Sequence, residues 1–179
     1  MKISGIRTRP YYFTLDRRMG DANFPTGRDD QSGMVLYIDT DEGISGISLT
    51  NPSIFNAIHS IKPAIVGLDP RGVKGIWKRM VDVVFKGGNE GIMSNALGAI
   101  DVALWDLKAK INEEPLWKTL GGSSRYVRAY ASGIDLPLSD QEIYDLYSEA
   151  SSKGISAGKL KVGLDRESDM RRIGIMEEA

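Results

Sequence analysis

The sequence predicts an α+β unit over residues 1–122 followed by the opening of an α/β unit over residues 123–179. Three observations predict it. Strand-like apolar segments gather near the N-terminus. A long amphipathic helical pattern follows them, over 94–111. From residue 127 the pattern becomes strand, helix, strand, helix, the βαβ grammar of a parallel sheet or barrel.

Residues 2–9 and 34–38 read as strands, the second a continuous run, Met34-Val35-Leu36-Tyr37-Ile38. The turn residues Asp41-Glu42-Gly43 and a strand over 44–50 complete a hairpin. The polar stretch 16–33, with Gly20, Pro25, Gly27 and Gly33, reads as a long loop, which in a compact domain is usually functional or mobile. A helix over 53–62 presents Ile54, Ile58 and Ile61 on one face, and Pro63 interrupts or ends it. Gly67-Leu68-Asp69-Pro70 is a turn. The next helix, 72–85, carries the stripe Val73, Ile76, Trp77, Met80 and Val84, and Lys86-Gly87-Gly88-Asn89 breaks it.

The clearest element follows. Ser94 suits an N-cap, and Leu97, Ile100, Leu104, Leu107 and Ile111 share one face. Pro115 prevents continuation, and a short helical turn over 116–120 closes at Gly121-Gly122. A strand at 127–132 leads to Ser139-Asp140-Gln141-Glu142, a capping box. Its helix continues through Ile143, Leu146, Tyr147 and Ala150 to Lys153, with Gly154 as the C-terminal cap. A strand over 155–162 and a helix from Asp165 complete the pattern.

Composition narrows the classes of function. The 179 residues are 41% apolar and 26% charged, which is ordinary for a globular protein with a core. The formal net charge is -1 and the basic residues are scattered, so neither nucleic acid nor a membrane is an expected partner. The absence of cysteine excludes disulfides, thiolate metal sites and a cysteine nucleophile, and suits the cytoplasm. Residues 1–10 lack an apolar core, so no signal peptide is expected there. No apolar run is long enough to span a bilayer. His59 is the only histidine, so a Ser-His-Asp triad has one possible centre; its helical setting suggests a structural role.

The strand Gly158-Lys159-Leu160-Lys161-Val162-Gly163 carries the chemistry. Strand side chains alternate, so Lys159 and Lys161 point one way and Leu160 and Val162 the other. A parallel strand covered on both faces should be nearly all apolar. Two buried ammonium groups would cost several kcal/mol, so the pair should line a wet or anion-binding cavity. Each disfavours the charge on the other, which suits one to take up a proton and the other to hold an anion. The same spacing also suits an edge strand whose lysines reach solvent.

Asp165, Glu167 and Asp169 read as residues favoured at a helix N-terminus rather than as metal ligands. Gly87-Gly88-Asn89-Glu90-Gly91 lacks the strand and the Gly-Lys-Ser/Thr of a phosphate loop. Trp77, Trp105 and Trp117 read as packing residues, and Asp101 and Asp106 as structural hydrogen-bonding groups.

Residues 96–122 contain Asp101, Ala103-Leu104-Trp105-Asp106, Lys110, Pro115-Leu116 and Leu120-Gly121-Gly122 in a fixed pattern. This resembles the linking helix of the enolase superfamily, mandelate racemase / muconate lactonizing subgroup. The hairpin Asp39-Thr40-Asp41-Glu42-Gly43-Ile44-Ser45-Gly46 is similar to that family's, and the Lys-x-Lys strand follows one βα unit later. The likeness covers most of the chain and is most specific at 96–122.

The resemblance implies an α+β capping domain, N-terminal strands then helices, over 1–122, followed by the first βα units of a (β/α) barrel, truncated, over 123–179. It implies that Lys161 abstracts the α-proton of a small carboxylate substrate and that Lys159 assists. Dehydration of a sugar acid and racemization are the leading reactions, with cycloisomerization and dipeptide epimerization behind them. The family binds Mg²⁺ at the ends of the third to fifth barrel strands, so its ligands are expected beyond residue 179. The 179 residues alone are then expected to be inactive, and the remainder of the same chain becomes a partner. A homo-oligomer is also implied. Two capping loops close the family's pocket; here they would be 16–33 and the residues around Thr50–Ser53, with Phe24 and Asn51 as candidate substrate-binding side chains. The alternative of another class is a non-catalytic α+β assembly module.

Overall fold

Strands β1 (Ile3–Asp21), β2 (Phe24–Thr40) and β3 (Ser45–Thr50) form one sheet in that order in the computed structural model, which describes residues 1–88 and 90–179. Asn89, read above as part of a helix-breaking loop, lies outside the described residues. Contacts divide the chain into two units, one of Met1–Tyr12 with Ser32–Arg125, the other of Phe13–Gln31 with Tyr126–Ala179.

In the first unit, β2 pairs antiparallel with β3, with Leu36 opposite Ser48 and Ile38 opposite Gly46. Met34, Leu36 and Ile38 are buried, while Val35 and Tyr37 are only partly so. The apolar run therefore alternates in the way a sheet with one covered face requires. β3 inverts the usual pattern. It buries Gly46 and Ser48 and leaves Ile47 and Leu49 exposed.

Helix α3 (Gly91–Ile111) explains the inversion. A β-carbon on Gly46 would collide with the Ala103 carbonyl oxygen and come within 2.6 Å of Leu107 Cβ. At that separation only small residues fit between strand and helix. Ser48 Oγ donates to the Ala99 carbonyl at 2.7 Å. The Ile47 N–H donates to Asp106 Oδ2 at 2.8 Å, Lys110 Nζ to the Ser45 carbonyl at 3.0 Å, and Lys110 pairs with Asp106 at 2.7 Å. The pattern at 103–110 is thus a latch between helix and hairpin. Asp101, half-buried beside Trp105, has its carboxyl pushed above the usual range by desolvation.

Leu97, Ile100, Leu104 and Leu107 are buried as their spacing predicts, against α1 (Phe55–Ile65) and α2 (Val73–Val84). Each such side chain contributes roughly 1.5–3 kcal/mol by leaving water. Two boundaries and the place of one stripe residue differ from the sequence reading. Pro63 does not end α1, which runs to Ile65; it removes one backbone donor, and burial of Ile61 and Ile65 offsets that loss. Helix α3 begins at Gly91 with Glu90 as N-cap, so Ser94 lies inside it. Trp77 sits at the margin of its stripe, 40% exposed.

The stretch 16–33 is also not a loop. It forms the distal arms of the β1–β2 hairpin, with a turn at 22–23. Asp21 Oδ1 accepts the N–H groups of Asn23 and Phe24, an Asx turn, and Arg18 pairs with Asp29 across the arms at 2.6 Å. Composition conceals this because the strands are polar and carry glycines.

Helix α4 (Leu116–Thr119) ends in a Schellman motif. The N–H of Gly121, at φ 83°, bonds to the Lys118 carbonyl, and that of Gly122 to the Trp117 carbonyl. Helix α3 closes in the same way, but with Glu113 in the left-handed position at φ 54°. Among the described residues no helix is long and apolar enough to cross a membrane.

Two outcomes follow. Gly46→Ala should lower the unfolding free energy by about 3 kcal/mol, because the collision is with helix backbone. Glu113→Gly should raise it by about 0.5–1 kcal/mol by relieving a left-handed non-glycine residue. Urea denaturation of the purified proteins checks both.

Candidate functional site

The second unit holds β4 (Ala131–Ser132), α5 (Asp140–Ser152), β5 (Gly158–Lys159) and α6 (Arg166–Glu178). β4 and β5 are parallel, with Ala131 opposite Gly158 and Ser132 opposite Lys159. Strands predicted over 127–132 and 155–162 are therefore regular over two residues each. The capping box forms as predicted: Ser139 Oγ accepts from the Glu142 N–H, and Glu142 accepts from the Ser139 N–H. Gly154, at φ 81°, ends α5.

Leu160 packs into the cluster of Leu138, Ile143 and Tyr147, joined by Ile175 and Met176. It thereby faces α5 and α6. Lys159, in β5, precedes it, so alternation directs that lysine to the side away from both helices; Lys161 follows it beyond the paired residues. Lys159 is exposed and Lys161 half-buried.

Their backbone is held by side chains. Asp135 is fully buried, and Arg172 and Tyr147 are nearly so. Asp135 Oδ1 accepts the Lys161 N–H at 2.9 Å and pairs with Arg172 Nη2 at 3.2 Å. Arg172 Nη2 also reaches the carbonyls of Asp135 (2.9 Å) and Lys161 (3.3 Å), while Nη1 donates to that of Leu138. The Tyr147 hydroxyl lies 2.6 Å from Asp135 Oδ2 and 2.8 Å from the Lys159 carbonyl. Desolvation first, and then the Asp135 carboxylate, push this phenol well above its ordinary range, so it stays a donor.

The hairpin tip packs in the same unit. Gly20 donates to the Ile134 carbonyl and accepts the Leu136 N–H, and Arg17 donates to the Gly133 carbonyl. Ile134 is left-handed, at φ 50°, a strained setting for a β-branched residue. Beside it lies a cleft of about 470 Å³, lined among others by Asp21, Phe24, Arg28 and Ile134. A β-carbon on Gly163 would come 3.1 Å from Ala22 Cβ, so the hairpin turn abuts the far end of the Lys-x-Lys strand.

Phe24 lines this cleft and neither lysine does; Lys159 lines a different one, of about 460 Å³, with Arg128 and Tyr130. Asn51 lies in the first unit, where its side-chain oxygen accepts the Ser53 N–H at 2.9 Å and caps a helical turn. Asp165 caps α6 through the Ser168 N–H, and Asp169 accepts the Gly163 N–H. Both carboxylates therefore serve backbone groups. Among the described residues no three acidic or histidine side chains gather to hold a metal ion. Sequence reasoning missed Asp135 and Arg172, and took Tyr147 only as an apolar stripe residue. The available signal was one acid inside the apolar run Ile134-Asp135-Leu136.

Residues 23–121 match the family model for the N-terminal domain of mandelate racemase / muconate lactonizing enzymes. D-galactarolactone cycloisomerase of Agrobacterium fabrum is 31% identical, over 100% of this chain and 49% of its own. 3,6-anhydro-alpha-L-galactonate cycloisomerase of Streptomyces coelicolor is 29% identical, over 98% of this chain and 51% of its own. The crystal structure of L-talarate dehydratase from Polaromonas sp. JS666, complexed with Mg and L-glucarate, is 30% identical with a TM-score of 0.82. It is matched over 99% of this chain and 51% of that one. The chain thus spans about half the length of the relatives it matches.

The Tyr147 phenol sets a pH dependence. Its pKa is raised on folding, so the stabilisation is fully present below the unfolded value of about 10 and is lost as pH rises toward the folded one. Unfolding midpoints measured across this alkaline range should fall more steeply for the native protein than for Tyr147→Phe.

Proposed function

The chain belongs to the mandelate racemase / muconate lactonizing enzyme family of the enolase superfamily, and from that premise we propose that the protein removes the α-proton of a sugar-acid carboxylate. Lys161 is the base and Lys159 its electrostatic partner. The supporting observation is the strand itself. Leu160 is anchored among apolar side chains on the helix side, and two lysines flank it, Lys161 with its backbone N–H held by Asp135 and Lys159 with its carbonyl beside the Tyr147 hydroxyl.

The chemistry calls for this pair. A proton beside a carboxylate is very weakly acidic, so its removal needs a base held in place and positive charge near the developing anion. Lys161 takes the proton from carbon onto Nζ, and the Lys159 ammonium faces the substrate carboxylate. Phe24, beside the turn that abuts Gly163, supplies an apolar wall for the substrate chain. Asn51 is held in place by the bond its oxygen accepts from the Ser53 N–H.

Magnesium would be held by residues outside this segment and, when bound, would stabilise negative charge on the substrate carboxylate. Once the proton is gone, the carbanion can expel a β-hydroxyl, which takes up a proton and leaves as water, or a ring oxygen, which takes up a proton and stays in the product as a hydroxyl, an isomerisation with no loss of mass. The two cycloisomerases matched over nearly the whole chain favour the second course, and the dehydratase favours the first.

The test uses the complete protein with a panel of aldonic acids, aldaric acids and their lactones in deuterated water. Lys161→Ala should abolish exchange of the α-proton, read by NMR, and mass spectrometry of the product separates dehydration from isomerisation. Retained exchange in Lys161→Ala removes the base from this assignment. No exchange with any acid in the native protein would instead favour a non-catalytic assembly module.

A further inference from the structure

The Lys-x-Lys segment has a register problem. A shift of one residue in a strand moves every side chain to the opposite face. Here a slip would turn both lysines toward α5 and α6 and place Leu160 where they belong. The ladder between β4 and β5 covers only two residue pairs, and Lys161 lies beyond it. That ladder alone specifies register weakly.

Three buried side chains supply what it lacks. In extended backbone the N–H and C=O of one residue point to the same edge, where a neighbouring strand would exchange both bonds. At Lys161 that edge is filled by Asp135, which takes the N–H, and Arg172, which reaches the C=O. Tyr147 stands against the carbonyl of Lys159, the other lysine. None of these bonds serves Leu160, whose hold is apolar packing.

Stability alone does not account for the arrangement. A buried ion pair is often replaceable by apolar residues of similar volume without loss of stability, and its best-attested use is to specify one arrangement over its alternatives. We infer that Asp135, Arg172 and Tyr147 are positioning residues that lock the register of the Lys159–Lys161 strand through its backbone. This rests on the proposed role of the two lysines, and it assigns that role's precision to residues that touch neither substrate nor ammonium group.

The experiment uses the complete protein and the variants Asp135→Asn and Tyr147→Phe, with Lys161→Ala as reference. Asp135→Asn keeps the shape but removes the charge opposite Arg172; Tyr147→Phe keeps the ring and serves if Asp135→Asn does not fold. Backbone amide exchange in a peptide covering 158–163 should quicken about tenfold, while peptides from α3 stay unchanged. The turnover of α-proton exchange should fall about ten- to a hundredfold with KM within about twofold, and its pH profile should shift. Loss of folded protein alone would lower the rate equally at every pH and raise amide exchange throughout.

Unchanged protection at 158–163, or a rate loss that only follows the folded fraction, overturns the lock. If Lys161→Ala abolishes exchange while both lock variants keep full rate and protection, the lock fails and the proposed base stands. If Lys161→Ala retains exchange, the proposed base fails, and amide protection still decides the lock.

Discussion

A carboxylate taken wholly out of water must find donors for both oxygens, and Asp135 finds them in a backbone N–H, a guanidinium and a phenol. Each donor comes from a different element: the segment after β5, helix α6 and helix α5. The carboxylate is therefore the point at which the second unit is tied together. Removing it would strand Arg172 and the Lys161 N–H in an apolar interior. Ile134 accepts backbone strain immediately before it, and the bonds to Gly20 on either side hold that strained residue in place.

The first unit is built on the opposite principle. Its interior is apolar and close-packed, and a polar seam between β3 and α3 lies where the backbones approach too closely for larger side chains. There Asp106 and Lys110 satisfy hairpin groups that no strand reaches. In both units a charged pair takes over backbone hydrogen bonds that no neighbouring strand supplies. In the first the pair is partly exposed and fastens a helix; in the second it is buried and fastens a strand.

What the sequence revealed follows from which forces leave a periodic trace. Amphipathic helices do, so the buried faces of α2 and α3 were legible, as were the capping box at Ser139 and the glycine ends at Gly121 and Gly154. The inward facing of Leu160 between the two lysines was legible because alternation is a local property. The distal hairpin was not, because strands rich in Arg, Asp and Gly look like a loop until a partner is known. The short β4 and β5 were overestimated for a related reason. β-propensity marks a segment that could pair, whereas the ladder depends on a neighbour supplied by the fold. Asp135 and Arg172 stand 37 residues apart, and no window joins them.

The lysine strand needs cooperation of an unusual kind. Apolar burial on one side fixes Leu160 but exerts no force on the ammonium groups, which are not part of that cluster. A salt bridge to each lysine would place it, yet would engage an ammonium group that the proposed reaction leaves open to a substrate. Holding the backbone instead leaves both side chains unencumbered and still fixes the points from which they extend. The buried charge at Asp135 is costly to desolvate, and the fold sustains it where direct contact with the lysines would defeat the chemistry proposed for them.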